Sequence, residues 1–416
     1  MQLDTPIPRL RLVETIPMQH EGNQYIVLRD PQGFSDSMIA VAPEALPILA
    51  MFDGQRSASE IGKEISEITG NLFNPEQITA MVDVLDNAHL LDNRTFIEHR
   101  LQVEEAFKKQ QTREASLAGG GYPEKPDDLR VFLDDLLSTD PPVDFEPEKL
   151  NNSASLSGIL LPHIDYHRGG KSYGRTYKTF LQHLPHEEEG PLLVGVIGVA
   201  HQGALSPIVA CDKDFETPLG PLSVDKDSIA VLREKLGDAP FREEWVHKAE
   251  HSVELQAVWL KHLLGERQIA FLPLLAGLFE NPDHGANGSG VSVAECLQAL
   301  RMIEEKHHGP VIWIASVDFA HVGPQFGDES VVDDELIRHV EERDMEALNA
   351  IRACDAEAWW ASVMEDDNAR RVCGLNATYL ILELLKGSKG VVLDYDKALS
   401  PDRQLMVSFA AALFQR

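Results

Sequence analysis

Four short stretches of nearly uninterrupted apolar residues constrain the fold of this chain more than any other feature. They are Gly158-Ile-Leu-Leu161, Leu192-Leu-Val-Gly-Val-Ile-Gly-Val199, Ile269-Ala-Phe-Leu272 and Val311-Ile-Trp-Ile-Ala315. Each is too short for a buried helix, and none alternates apolar with polar residues as a half-solvated strand does. Such runs are strands buried on both faces, as happens when helices cover both sides of a sheet. Helical periodicity over 171–183, 226–236, 250–264 and 291–307 supplies the covering layers. The reading is an α/β domain with a mixed or parallel sheet covered by helices on both faces. Two more apolar runs, Val391-Val-Leu393 and Leu405-Met-Val-Ser-Phe409, are expected to be antiparallel edge strands.

The first 95 residues follow another grammar. Tyr25-Ile-Val-Leu28 and Met38-Ile-Ala-Val41 flank the turn signal Asp30-Pro-Gln-Gly33 and predict a hairpin. Pro43 opens an apolar helix. Ser57 with Glu60 forms a capping box for a helix through Ile61, Ile65 and Ile68 that Gly70 stops. Asn74-Pro75 starts another, with Ile78, Met81, Val82 and Leu85 on one face. Leu90-Leu91-Asp92-Asn93 returns as a strand. Charged residues over 96–116 predict a solvated connecting helix, broken by Ala118-Gly-Gly-Gly121. The expected organisation is a small α+β domain at 1–95, a connector at 96–118 and the α/β domain at 119–416.

Composition excludes several function classes. The formal charge of −30 argues against a nucleic-acid partner, which needs clustered Lys and Arg. No apolar stretch reaches the roughly 18 residues of a membrane span. The first residues have no basic, then apolar, leader, and the four cysteines show no paired spacing, so a cytoplasmic setting is expected.

The residues just beyond each apolar run carry the chemistry. Leu161 is followed by Pro162-His163-Ile-Asp165-Tyr166, Val199 by Ala200-His201-Gln202, and Ala315 by Ser316-Val-Asp318-Phe-Ala-His321. Ligands of open α/β sheets sit at the carboxyl ends of the strands, so these tips are expected to line one crevice. His251 and Glu254 lie three apart at the start of an amphipathic helix and so share a face. Cys373 precedes the apolar helix that begins at Leu375. A helix N-terminus favours thiolate there, although a small buried hydrophobe is the alternative. Imidazole, carboxylate and thiolate together are ligands for Fe, Zn or Cu rather than for Mg or Ca. Asp318, His321, His251 and Glu254 are candidates for outer ligands or for proton donors and acceptors.

These residues stand in blocks that resemble the Memo family, the protein B component of the AmmeMemoRadiSam set. The blocks are Gly121-Tyr-Pro-Glu-Lys-Pro-Asp-Asp-Leu129, Leu161-Pro-His-Ile-Asp-Tyr166, Gly170-Lys-Ser-Tyr-Gly174, Gly198-Val-Ala-His201 and Thr217-Pro-Leu-Gly220 with Val224-Asp225. Glu250-His-Ser-Val-Glu254, Ser316-Val-Asp-Phe-Ala-His321, Cys373-Gly374 and Ser408-Phe-Ala-Ala411 continue them. The resemblance implies a fold like that of class III extradiol dioxygenases, iron enzymes that open catechol rings. It implies metal ligands at His163, His201 and Cys373, with Fe(II) first and Cu or Zn as alternatives. Asp318, His321 and His251 would line the pocket. Two positions depart from the family pattern: Asp165 stands where Gly is usual, and Gln202 where a second His is usual. The N-terminal segment resembles PqqD-like winged-helix modules, which bind peptides by strand addition. That resemblance implies a peptide or radical-SAM partner. A helical cap packed on the main domain is the other reading of this segment.

Overall fold

The computed structural model describes residues 3–20, 22–70, 72–142, 145–265, 267–282 and 288–416. They form two compact units, Met1–Gln110 and Gln111–Arg416.

The first unit is α+β. Glu14–His20, Asn23–Arg29 and Ile39–Val41 form a three-stranded antiparallel sheet, and Arg9–Leu10 pairs with Leu91–Asp92. Its helices at Ala58–Thr69 and Pro75–Asn87 begin where capping chemistry places them. Ser57 and Glu60 exchange both capping-box bonds, and the Asn74 side chain accepts from the Glu76 N–H. Gly70 ends the first helix at φ 71°, in the left-handed region that glycine enters without strain. Ile61, Ile65, Ile78, Val82 and Leu85 form the core with Leu28 and Phe52.

The connecting helix spans Arg94–Lys109 and belongs to this unit. Its Phe96 lies under the Arg11 guanidinium, 3.6 Å from the ring centroid, and its His99 stacks on His89. The units divide after Gln110, ahead of the glycine run. Thr112–Arg113 already pairs in parallel with Asp214–Phe215 of the second unit, and Arg113 is fully buried there. The glycines make only a local turn, with Gly119 at φ 82°.

The second unit holds one eight-stranded mixed sheet. Its strands are β1 (Leu156–Leu161), β2 (Leu192–Val199), β3 (Ile208–Ala210), β4 (Ile269–Ala276), β5 (Val311–Ser316), β6 (His321–Val322), β7 (Lys389–Leu399) and β8 (Met406–Gln415). The order is β6-β8-β1-β5-β2-β4-β3, with β7 paired to β8. The centre, β1-β5-β2-β4, is parallel, and β8 and β3 flank it antiparallel. Alternate residues of each central strand face opposite cores. Leu160, Leu193, Ile197 and Trp313 face one, and Ile159, Leu161, Val194 and Ile314 the other. The first core is covered by α3 (Lys226–Leu236), α5 (Val293–Lys306), α6 (Asp334–Ala353), α7 (Ala356–Met364) and α8 (Leu375–Leu384). The second is covered by α1 (Pro126–Leu137), α2 (Tyr166–Gln182) and α4 (His251–Leu264). Sequence and structure agree on an α/β unit with both faces covered.

Two local expectations need correction. Only β7 is an edge. β8 lies between β7, β6 and β1, and all ten of its residues are buried, which its run of small and apolar side chains permits. Helix α2 begins at Tyr166 rather than 171 because Asp165 caps it, accepting from the N–H groups of His167 and Arg168. Glycines inside this helix allow close packing. A Cβ at Gly174 would lie 2.0 Å from the Leu136 carbonyl oxygen of α1. No helix among the described residues is long and apolar enough to cross a membrane.

Candidate metal centre

The three strand tips meet because their register is shared. Ser316 pairs with Leu161 and Ala315 with Ile197, so β1, β5 and β2 end on one line. His163, His201 and Asp318 each stand two residues beyond their strand. His251 arrives from across the crevice as the first residue of α4, behind its capping residue Glu250. Cys373 arrives just before α8, whose N-cap is Gly374.

Three imidazoles converge. One ring nitrogen from each of His163, His201 and His251 lies within 4.8 Å of the others. The ring centroids are 4.8 Å apart for His163–His201, 5.2 Å for His163–His251 and 4.9 Å for His201–His251. His163 Nδ1 donates to the Ser316 carbonyl at 2.8 Å, which leaves Nε2 as an acceptor. Facing Nε2 are Cys373 Sγ at 3.3 Å and Asp318 Oδ2 at 3.6 Å. His201 Nδ1 donates to Glu250, 3.1 Å from either oxygen. Glu250 also lies 3.3 Å from His251 Nδ1. Tying one imidazole nitrogen to an acceptor so that the other faces inward is how metal-binding histidines are oriented.

The electrostatics fit neutral, ligand-ready imidazoles at two of the three positions. Burial pushes His163 down to about 3, and the neighbouring His201 adds to the effect. Burial takes His251 down to about 4 against the pull of Glu250. For His201, burial acts downward too, but the Glu250 carboxylate and Cys373 outweigh it and hold the ring well above its ordinary value. Burial would raise Glu250, yet His201 and His251 keep it well below the carboxylate range. Burial raises Asp318, against His321 and the N–H groups of His163 and Ile164. Burial raises the Cys373 thiol, against a hydrogen bond with His201 and the charge of that ring.

Of the remaining candidates, His321 lies at the rim. Its Nδ1 donates to the Phe319 carbonyl at 3.1 Å, and its ring stands edge-on to Phe326. Glu254 does not join the site. It is fully buried one turn further along α4, where it accepts from Arg113, Tyr122, the Ser116 hydroxyl and the N–H groups of Ser116 and Leu117. The three-residue spacing is real, but the segment 113–122 packs over that face and takes up the carboxylate. Asp165 spends its carboxylate on capping α2 and on Arg168 at 2.5 Å. Glu250 was missed, although a carboxylate directly before a helix-opening His was a usable signal.

A cavity of about 530 Å³ opens beside His201 and Cys373, with Phe279, Trp360 and Met364 among its apolar walls and Arg371 among its polar ones. A slightly larger cavity, about 580 Å³, lies at the amino ends of the strands near Pro191 and His307 and contains none of these groups.

A doubly covered α/β unit thus gathers His, Cys and carboxylate groups at its strand tips, and the three imidazoles could hold a metal ion. The sequence model described as Memo-like protein matches residues 113–413. A MEMO1 family protein of Aquifex aeolicus is 30% identical over 410 residues, covering 98% of this chain and 99% of its own. MEMO1 family proteins of Thermus thermophilus, at 28% over 81% of this chain and 93% of their own length, and of Methanopyrus kandleri, at 26% over 73% and 99%, are also similar. The chain belongs to the Memo family.

Proposed function

We propose that this protein binds one transition metal through His163, His201 and Cys373, Fe(II) first and Cu or Zn as alternatives. In this reading it carries out redox chemistry on a small substrate admitted by the adjoining cavity. The observation that carries the reading is the convergence of His163 Nε2, Cys373 Sγ and the inward face of His201, each imidazole fixed by a hydrogen bond at its other nitrogen. Two imidazoles and a thiolate suit Fe, Cu or Zn, and the metal would supply open positions for substrate or oxygen. The chain's own groups do the rest. Glu250 holds His201, Asp318 fixes the His163 backbone at 2.9 Å, and His321 stands at the rim as a proton carrier. Largely apolar walls favour a small, weakly polar substrate.

The test is elemental analysis of protein purified without oxygen, beside a variant carrying His163→Ala, His201→Ala and Cys373→Ala. Near-stoichiometric iron or copper in the wild type and none in the variant supports the reading. Equal metal in both, or none in either after supplementation, sinks it.

A second reading makes the chain a binding or adaptor protein, its first unit presenting a peptide or a radical-SAM partner. The three-stranded sheet favours it. Glu14–His20 and Ile39–Val41 are its outer strands, each paired on one side within that sheet, with Met18 and Met38 exposed alongside. Steady turnover of a small substrate would weigh against it.

A further inference from the structure

Asp344 sits near the middle of α6, fully buried among Val340, Ala347, Leu348 and Ile351. An apolar side chain would fill that position without the cost of desolvating a carboxylate. Its partners show what the carboxylate does there. Oδ2 accepts from the Ser408 hydroxyl at 2.5 Å and from the Tyr395 hydroxyl at 3.0 Å, and Oδ1 accepts from Arg370 Nη1 at 2.8 Å.

Two of those partners lead directly to the metal centre. Because the Ser408 hydroxyl gives its proton to Asp344, its oxygen is free to accept the Ala320 N–H at 3.0 Å. The Ser408 backbone makes two more bonds with the same loop, accepting from Phe319 N at 2.8 Å and donating to Ala320 O at 3.0 Å. Arg370, anchored through its side chain, presents its carbonyl to the His321 N–H at 2.7 Å. The segments 316–321 and 370–374 then join each other, with Gly374 N donating to Asp318 O at 3.1 Å and Cys373 Sγ lying 3.5 Å from the same oxygen.

We propose that Asp344 is a positioning residue for the metal centre. Through Ser408 it holds the loop that carries Asp318 and His321, and through Arg370 it holds the segment that carries Cys373. Asp344 touches no donor atom itself. The spacing between Cys373 and the groups of the β5 tip depends on one buried carboxylate reaching both segments.

The role rests on the metal reading for its purpose, so the experiment has one arm that needs no metal. Amide hydrogen exchange is followed on the full-length, metal-free protein in wild type, Asp344→Asn, Ser408→Ala and Tyr395→Phe. Asp344→Asn is expected to speed exchange about tenfold or more in both 317–322 and 370–376 while β2 and β4 keep their protection. Ser408→Ala is expected to do so in 317–322 alone, and Tyr395→Phe in neither. The second arm is cobalt(II) titration, in which Asp344→Asn weakens binding by about tenfold. Unchanged exchange in both segments, or a rise spread evenly over the sheet, overturns the proposal. Should Asp344→Asn fail to fold, the absence of a local rise in Ser408→Ala overturns it equally. If the wild type takes up no cobalt, the metal reading fails, and the exchange arm still decides the role of Asp344.

Discussion

His201 Nδ1 donates to Glu250 at 3.1 Å from both carboxylate oxygens, and Glu250 is itself the cap of the helix that delivers His251. One carboxylate thus fixes two imidazoles of the cluster. Outer partners of this kind are worth roughly 10–100-fold in metal affinity. Glu250→Gln is expected to lower cobalt(II) or zinc(II) affinity by about that factor in a chelator-competition titration, with the fold intact by circular dichroism. Affinity equal to the wild type would show that Glu250 does no more than cap α4.

The third ligand is testable by colour. The Memo resemblance implies Cys373, whereas the tightest cluster of ring nitrogens includes His251. With cobalt(II) bound, a thiolate ligand gives a charge-transfer band that imidazole ligands do not. Cys373→Ser is expected to abolish that band and to weaken binding beyond the roughly 100-fold ceiling of an outer partner. His251→Ala is expected to keep the band. The opposite pattern assigns the third position to His251 and leaves Cys373 beside the site.

The strands and their tips were legible because a strand buried on both faces writes itself as a short apolar run, and the candidate site groups stand within two residues of its end. His163, His201 and Asp318 needed no long-range information. Glu254 failed for a tertiary reason. Helix periodicity says which residues share a face, but not that the segment 113–122 would cover that face and claim the carboxylate. Gly170 and Gly174 record another tertiary requirement. Their purpose is the close approach of α1, which no local pattern records. The position of β8 depended on pairing with β1, far earlier in the chain, and composition alone does not fix that.

Glu254 should therefore behave as a structural residue. It and Arg113 are both fully buried and form an ion pair, and Arg113 also donates to the carbonyls of His247 and Glu250. Removing one partner of a buried pair costs about 3–5 kcal/mol because the other charge is stranded. Glu254→Gln is expected to lose about that much in urea unfolding measured with chelator present, while metal affinity stays within a few-fold of the wild type. Intact stability with metal binding abolished would return Glu254 to the site.

Acid should destabilise the second unit through His247, which lies outside the cluster of His163, His201 and His251. The ring is 1% exposed, its Nε2 donates to the Val209 carbonyl at 3.1 Å, and its Nδ1 has no hydrogen-bond partner among the described residues. Protonation would bury a cation beside Arg113 with nothing to accept the new N–H. Burial accordingly takes His247 down to about 3. In the unfolded chain the imidazole titrates near 6.5, so between these values the unfolded state binds more protons. The contribution is complete above about pH 6.5 and is lost progressively as pH falls toward about 3. From pH 7 to pH 4.5 that amounts to about 3 kcal/mol. Gln can still donate to Val209 but does not titrate. Urea midpoints of wild type and His247→Gln, measured across this range with chelator, should therefore converge as pH falls. His163 and His251 titrate in the same direction in both proteins, so their share cancels in the difference. Parallel curves from pH 7 to pH 4.5 would show that His247 finds an acceptor for its second proton and does not set the acid limit of the fold.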